Sequence, residues 1–173
     1  MKLNEITGML REMDVYHGSD HSFDKFDADK IGDASGQDKG GWGFYFTTSE
    51  EVASQYISGR GEVRAFRIPS GPYFDFDEGL GPSFAQRIYD ELEEAGVSED
   101  ELNDYRDEMM DEQYVYDTTY DQVYRYLAHV LGSSKKASLF LGNMGYVGNS
   151  YSDRTNPDVT NYVVFDSNDI QFK

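Results

Sequence analysis

The 173-residue chain contains no cysteine. That absence removes disulfides, thiolate metal sites and a cysteine nucleophile from consideration, and it fits a reducing compartment. Long apolar runs are missing as well. None approaches the roughly 20 residues that a membrane helix needs, and Met1-Lys2-Leu3-Asn4-Glu5 lacks the charged-then-apolar layout of a signal peptide. A soluble, cytoplasmic protein is expected, with no membrane partner. Basic clusters are also lacking. A surface that tracks phosphates needs grouped Lys or Arg, whereas the formal net charge here is −18. Direct nucleic-acid binding is therefore disfavoured. His21 and His129 have no metal-ligand spacing, and Asp75-Phe76-Asp77-Glu78 lacks the pattern of a calcium loop and reads as a turn. No metal is expected.

What the chain does have is aromatic. Its 14 Tyr and 11 Phe exclude a disordered acidic tail, and its length suits one domain with a proper core. The charge is unevenly placed. Residues 75–121 hold 17 of the 33 acids and only Arg87 and Arg106 as bases, while the remainder carries 16 acids and 13 bases. This segment reads either as a solvated helical face that aids solubility or as a surface that attracts a basic protein partner.

Periodicity divides the chain into three zones. In the first, Asp14-Val15-Tyr16-His17 has strand character and is ended by Gly18-Ser19. The stretch from Asp20 to Gly41 is an ordered loop rather than a helix, given Gly32, Gly36, Gly40 and Gly41, with Phe23 and Phe26 pinning it to the core. A strand over Gly43-Phe44-Tyr45-Phe46-Thr47 follows. Thr48 or Ser49 then caps a helix to about Tyr56, ended by Gly59 and Gly61. Glu62 to Ile68 alternates like a half-buried strand, and Tyr73-Phe74-Asp75-Phe76 is a further strand candidate.

The middle zone is helical. Ser98-Glu99-Asp100-Glu101 is a capping box, and Leu102, Tyr105 and Met109 recur at helix spacing. Asp117 is a candidate cap for a helix bearing Val123, Tyr124, Leu127 and Val130, closed by Gly132; Ser133 or Ser134 opens another, to Gly142. In the last zone, strands are expected at Val147 to Tyr151, at Tyr162-Val163-Val164-Phe165 and near Ile170-Gln171-Phe172. Strands at both ends with helices between them make an α+β domain.

Three features carry chemistry together. His17-Gly18 follows a strand, which on its own is an ordinary turn with a structural histidine. Tyr45 lies in Gly41-Trp42-Gly43-Phe44-Tyr45-Phe46, on its own an ordinary core pattern in which Trp42 either lines a site or packs. Tyr56 lies eleven positions later, three after Ala53. A strand and a returning helix can bring the two tyrosine rings face to face as a slot for a flat ring. A cationic ring such as nicotinamidium gains cation–π attraction there, and Gly41 and Gly43 let backbone approach a ligand.

The set Tyr16-His17-Gly18-Ser19, Gly43-Phe44-Tyr45-Phe46-Thr47 and Ala53-Ser54-Gln55-Tyr56 resembles the ADP-ribosyltransferase superfamily, in its diphtheria-toxin and poly(ADP-ribose)-polymerase branch. It is most similar to the ADP-ribosyltransferase domain of phage and mobile-element polyvalent proteins, over residues 15–56 and again over 144–172, where Gly145-Tyr146 and Asn161-Tyr162-Val163-Val164-Phe165-Asp166 take part. The resemblance implies an ADP-ribosyltransferase-like split β-sandwich over residues 1–173, with an acidic, mostly helical insertion at 77–132.

It also implies roles. NAD is the substrate, held by His17, Gly18, Ser19, Gly43, Phe44, Tyr45 and Tyr56. His17 bonds a ribose, Gly18 backbone groups hold the nicotinamide carboxamide, and the two tyrosines stack on the nicotinamide. The catalytic set is His17, Tyr45, Asp153 and Asn161. The branch places a Glu just before the Tyr of the last strand, and here that position is Asn161, which carries no charge. The acid then falls to Asp153 in Tyr151-Ser152-Asp153-Arg154. Asp158 is a further candidate, and an Asx turn is the structural alternative for Asp153.

The activity implied is mono-ADP-ribosyl transfer from NAD to an acceptor, with release of nicotinamide. A protein acceptor with a basic surface is favoured, as for a phage or mobile-element effector acting in the host cytoplasm. The alternative is an inactive domain of the same fold whose acidic segment engages a basic nucleic-acid-binding protein.

Overall fold

The computed structural model describes residues 11–31 and 39–173. Gly32 and Gly36 of the expected loop lie outside the described residues. Among those described, seven strands form one sheet in the order β4-β5-β6-β2-β1-β3-β7: β1 (Glu12–Ser19), β2 (Phe44–Thr47), β3 (Glu62–Pro69), β4 (Tyr73–Asp75), β5 (Gly148–Ser152), β6 (Thr160–Val164) and β7 (Gln171–Phe172). Five helices accompany them: α1 (Glu50–Ser54), α2 (Pro82–Glu94), α3 (Glu99–Met109), α4 (Tyr120–Val130) and α5 (Ser134–Asn143). The mixed α and β content is that of the class expected. The chain divides into two compact units, Met1–Phe74 with Ser138–Lys173, and Asp75–Ala137.

In the sheet-bearing unit, strand alternation sorts side chains onto two faces. Val15 pairs with Phe66, Met13 with Ile68, and Phe44 with Val164, so these share one face. There Val15, Phe44, Phe46, Phe66, Ile68, Val164 and Ile170 form the core, with Phe23 and Phe26 of the following loop packed against it. Those two phenylalanines pin the loop as their spacing suggested. Tyr16, Tyr45, Thr47, Asn149, Tyr151, Asn161 and Val163 share the other face, because Tyr16 pairs with Thr47, Thr47 with Asn161, Tyr45 with Val163, Asn149 with Val163 and Tyr151 with Asn161.

The helical unit has its own core of Ile88, Leu92, Leu102, Tyr105, Val115, Val123 and Leu127, each nearly or fully buried. Polar tips inside it are satisfied: the Tyr105 hydroxyl donates to the Ala85 carbonyl at 3.1 Å, and Tyr126 donates to the Glu101 carbonyl at 2.9 Å. The capping box forms as its sequence predicts. Ser98 accepts from the Glu101 N–H, and Glu101 accepts from the Ser98 N–H, each at 3.3 Å.

Several boundaries differ from expectation by one or two residues, three of them for visible reasons. β1 does not end at Gly18, because β3 continues to pair with it through Gly18↔Val63 and Ser19↔Glu62. α1 stops at Ser54, before Tyr56. Gln55 and Tyr56 donate to carbonyls three residues back, which tightens the last turn, and Asp20 then captures the N–H groups of Ser58 and Gly59. Thr119 rather than Asp117 caps α4. The chain at 118–120 first bonds to Glu78 and Leu80, which holds it extended until Tyr120, and Gln122 then accepts from the Thr119 N–H. β5 runs one residue later than expected, from Gly148 to Ser152.

Phe66 is fully buried at the centre of the core, whereas Phe172 keeps 41 % of its surface exposed. Phe66→Ala is expected to cost about 3–5 kcal/mol in urea unfolding, and Phe172→Ala clearly less. Equal losses would place the centre of the core elsewhere.

Candidate functional site

The site is organised by the place where β1 and β2 stop pairing. The Ser70 N–H donates to the Arg11 carbonyl at 2.7 Å. The odd residues of β1 therefore turn their polar backbone toward β3, and the even ones, Tyr16 and Gly18, turn theirs toward β2. On β2, the Thr48 N–H donates to the Thr160 carbonyl at 3.0 Å, so Tyr45 and Thr47 face β1. The two strands meet at Tyr16↔Thr47. The next facing pair would be Gly18 with Tyr45, but there the ladder has ended. The Tyr45 carbonyl is bonded instead by the His17 side chain, with Nδ1 at 2.8 Å. The N–H and C=O of Gly18 are left aimed at the gap between the strands.

A carbonyl can only accept, so His17 Nδ1 carries the proton and Nε2 holds the lone pair. The imidazole lies among rings, with centroids of Phe23 at 5.7 Å, Phe26 at 5.6 Å and Phe46 at 5.8 Å. This burial pushes its pKa below the ordinary value, and the bond to Tyr45 opposes the shift only in part. At neutral pH His17 is an uncharged acceptor.

Gly18 is required by packing. A Cβ there would lie 2.0 Å from the Ala53 carbonyl oxygen, so only glycine lets α1 settle on β1. α1 begins at Ser49, whose hydroxyl accepts from the Val52 N–H at 3.2 Å, and it buries Val52 and Ala53. Tyr56 follows it and keeps 62 % of its surface exposed. Its phenol is raised in pKa by partial burial and then by the Asp153 carboxylate. Tyr45 is half-buried, and its hydroxyl donates to the Gly41 carbonyl at 2.6 Å.

Asp153 stands at the end of β5. Its Oδ1 accepts from the Thr155 hydroxyl at 2.7 Å and from the Thr155 and Asn156 N–H groups at 2.9 and 3.1 Å, as an Asx turn. Oδ2 accepts from Asn161 Nδ2 at 3.4 Å. These bonds, the Thr155 hydroxyl first, hold the carboxyl below its usual range, so it is ionised. The structural and chemical readings of Asp153 are thus compatible, because one oxygen serves the loop and the other faces Asn161. Asp158 lies exposed in the same loop.

The structure brings Tyr56, Asp153 and Asn161 into one neighbourhood and puts Tyr45 on the same sheet face as Asn161. The His17 ring lies on the other face and reaches Tyr45 through its main chain. The remaining expected contacts have other surroundings. Ser19 bonds His21, accepting from its N–H and donating to its carbonyl. The Phe44 ring is in the core, 5.2 Å from Phe26. Gly43 lies against Val163 and Val164 so closely that a Cβ would fall 2.6 Å from Val163 Cγ1.

Two residues at the site escaped sequence reasoning. Tyr151, with a phenol raised in pKa by burial and then by the charges of Tyr56 and Asp153, lies beneath Gly40. Asn149 is fully buried; its Nδ2 donates to the Gly40 carbonyl at 2.8 Å while its Oδ1 has no partner. An unsatisfied buried acceptor costs about 1–3 kcal/mol. Strand alternation over Gly148 to Ser152 would have put both on one face, but nothing in the sequence marks Gly40 as their partner. Among the described residues no group of three or more His, Asp or Glu side chains is arranged to hold a metal ion, and no helix is long and apolar enough to cross a membrane.

Residues 10–172 match the family model described as ADP-ribosyltransferase in polyvalent proteins. The match runs through the acidic segment, which the motifs by themselves did not reach. No curated protein and no solved structure matches the chain.

The neutral state of His17 has a pH signature. Its pKa is lowered on folding, so between the folded value and the unfolded value of 6.5 only the unfolded chain binds a proton. The contribution is fully present above 6.5 and is lost as pH falls through that window. Denaturant unfolding from pH 8 to 5 is expected to show declining stability below that point, and His17→Gln is expected to flatten the decline. An NMR titration placing His17 above its ordinary value would contradict the buried neutral imidazole.

Proposed function

The chain belongs to the ADP-ribosyltransferase family of polyvalent proteins, and from that premise we propose that it transfers ADP-ribose from NAD to a protein acceptor. The observation that carries the reading is the parting of β1 and β2 at Gly18, beside His17 and Tyr45. It presents a main-chain donor and acceptor to a carboxamide, which needs both. In this reading Gly18 holds the nicotinamide carboxamide, Tyr45 and Tyr56 close on the ring, and neutral His17 accepts a ribose hydroxyl at Nε2. The sheet is then the split sandwich of the fold, divided where the β1–β2 ladder ends, and the acidic helical segment is an insertion into a single domain.

The reaction breaks the C1′–N bond of NAD. Nicotinamide leaves with the bonding pair, positive charge develops on the ribose, and the acceptor nucleophile bonds to C1′ and gives up its proton. A carboxylate near that carbon stabilises the charge as it forms and can take the acceptor's proton. Asp153 fills this role through Oδ2, the oxygen that the Asx turn leaves to Asn161. Asn161 orients that oxygen and adds no charge. The acceptor is a protein with a basic surface, because residues 75–121 carry 17 acids against two bases. An effector made by a phage or mobile element and acting in the host cytoplasm fits this chemistry.

One observation favours a second reading. Asp153 spends Oδ1 entirely on its own loop, and Asn161 is uncharged. A domain that binds NAD or a basic protein without turnover has the same features.

Labelled NAD incubated with the protein and a cell lysate distinguishes the two, since only the enzyme labels an acceptor. NAD at 100 times its dissociation constant is expected to add about 2.7 kcal/mol of stability. Asp153→Asn, which keeps the turn's acceptor and removes the charge, is expected to lower transfer about 100- to 1000-fold with NAD binding largely retained. Asn161→Glu in that background is expected to restore part of the rate. Full transfer by Asp153→Asn would remove Asp153 from the mechanism, and the absence of any thermal shift with millimolar NAD would remove the substrate.

A further inference from the structure

Between the loop and β2, the chain at Gly40–Trp42 has no ladder to satisfy its main chain, yet three successive carbonyls are all bonded by side chains. Gly40 O accepts from Asn149 Nδ2 of β5 at 2.8 Å, Gly41 O from the Tyr45 hydroxyl of β2 at 2.6 Å, and Trp42 O from Ser138 Oγ of α5 at 2.9 Å. Asn149 and Ser138 have no exposed surface, so both donors are desolvated. Gly40 itself lies flat on the sheet; a Cβ there would fall 2.4 Å from Tyr151 Cε1 and 2.7 Å from Val163 Cγ2. The middle link is the one that touches the candidate site. The Tyr45 hydroxyl is fixed by a carbonyl whose neighbours on either side are fixed in turn by Asn149 and Ser138.

From this arrangement we propose that Asn149 and Ser138 are positioning residues that set the Tyr45 ring through the Gly40–Trp42 main chain. The inference rests on the NAD reading, in which Tyr45 forms one wall of the nicotinamide slot. A tyrosine ring has two soft torsions, and a stacking wall works only if both are held. The ring's χ1 is limited by the strand, its hydroxyl is held by Gly41 O, and a carbonyl outside any strand ladder holds only as well as its segment does. Two buried donors, one from β5 and one from α5, remove that slack. The amide of Asn149 also suits the task chemically. It must present Nδ2 to Gly40 because a carbonyl only accepts, which turns Oδ1 away from the segment and leaves it without a partner. A shell chosen for packing alone would place an apolar residue at this buried position. The retained amide is explained by the bond it makes to Gly40.

The test uses Asn149→Asp, which keeps the shape but sets a carboxylate oxygen against Gly40 O, and Ser138→Ala, which removes the third link at a fully buried residue of α5. Two quantities are measured on each folded variant: hydrogen exchange at residues 40–46, and the dissociation constant for NAD. Faster exchange at 40–46 with unchanged exchange in β3 is expected for both. With it, NAD affinity is expected to fall about tenfold for Asn149→Asp and several-fold for Ser138→Ala. If Asn149→Asp does not fold, Ser138→Ala decides alone. Unchanged exchange at 40–46 overturns the clamp, whatever NAD does. Faster exchange with unchanged affinity, in a protein whose wild type binds NAD, overturns the positioning role. Wild-type protein that fails to bind NAD instead refutes the functional reading on which the role depends.

Discussion

The hydrogen bond from His17 Nδ1 to the Tyr45 carbonyl is the contact on which the arrangement of the site depends. In a continuous ladder that carbonyl would be consumed by Gly18, and the strands would close. A side chain takes the place of the main chain, so β2 keeps its carbonyl satisfied while β1 is released one residue early. An uncapped carbonyl at such a buried point would cost about 1–3 kcal/mol. The bond itself can be made by either protonation state; it is burial, provided by the phenylalanines of the loop, that keeps the imidazole neutral. The aromatic cluster, the tautomer of His17 and the orientation of the Gly18 main chain are therefore one constraint seen from three sides. Removing the rings would re-solvate the histidine; removing the histidine would let the ladder extend.

Much of this was legible in the sequence, for identifiable reasons. Strands written in Val, Phe and Tyr, and helices opened by Ser98 and closed by glycine, declare themselves locally, because their signals lie within a few residues of each other. The pairing of Phe23 and Phe26 with the core was legible too, since two aromatics in a polar loop have few other places to go. The length of α1 was not legible. It is set by Asp20, which lies 38 positions before Ser58 and captures its N–H. The cap of α4 was not legible for the same kind of reason, as Glu78 and Leu80 hold the chain extended past Asp117.

At the site, residue types were readable and their company was not. The sequence singled out His17, Gly18, Tyr45, Tyr56, Asp153 and Asn161, but it could not say that the His17 ring and the Tyr45 ring lie on opposite faces and communicate through a carbonyl. Nor could it separate the two oxygens of Asp153, of which one closes a turn and the other faces Asn161. Asn149 and Tyr151 went unnoticed because their partner is Gly40, a residue without a side chain to signal contact. The strong negative charge of the helical unit was plain from composition. Its core is built from the apolar stripes of α2, α3 and α4, leaving the acids on the surface, where they set the field that a partner would meet.

The proposed function has the nicotinamide end of NAD held at the parted strands, at Gly18. Amide shift mapping with nicotinamide alone tests this most directly, because the ligand is too small to reach distant surfaces and carries the carboxamide in question. A saturable shift of the Gly18 N–H is expected, among the largest in the spectrum, accompanied by Tyr45 and Tyr56 and absent from the helical unit. Saturable binding that leaves Gly18 unmoved, with shifts elsewhere on the sheet or among the acidic helices, would contradict it.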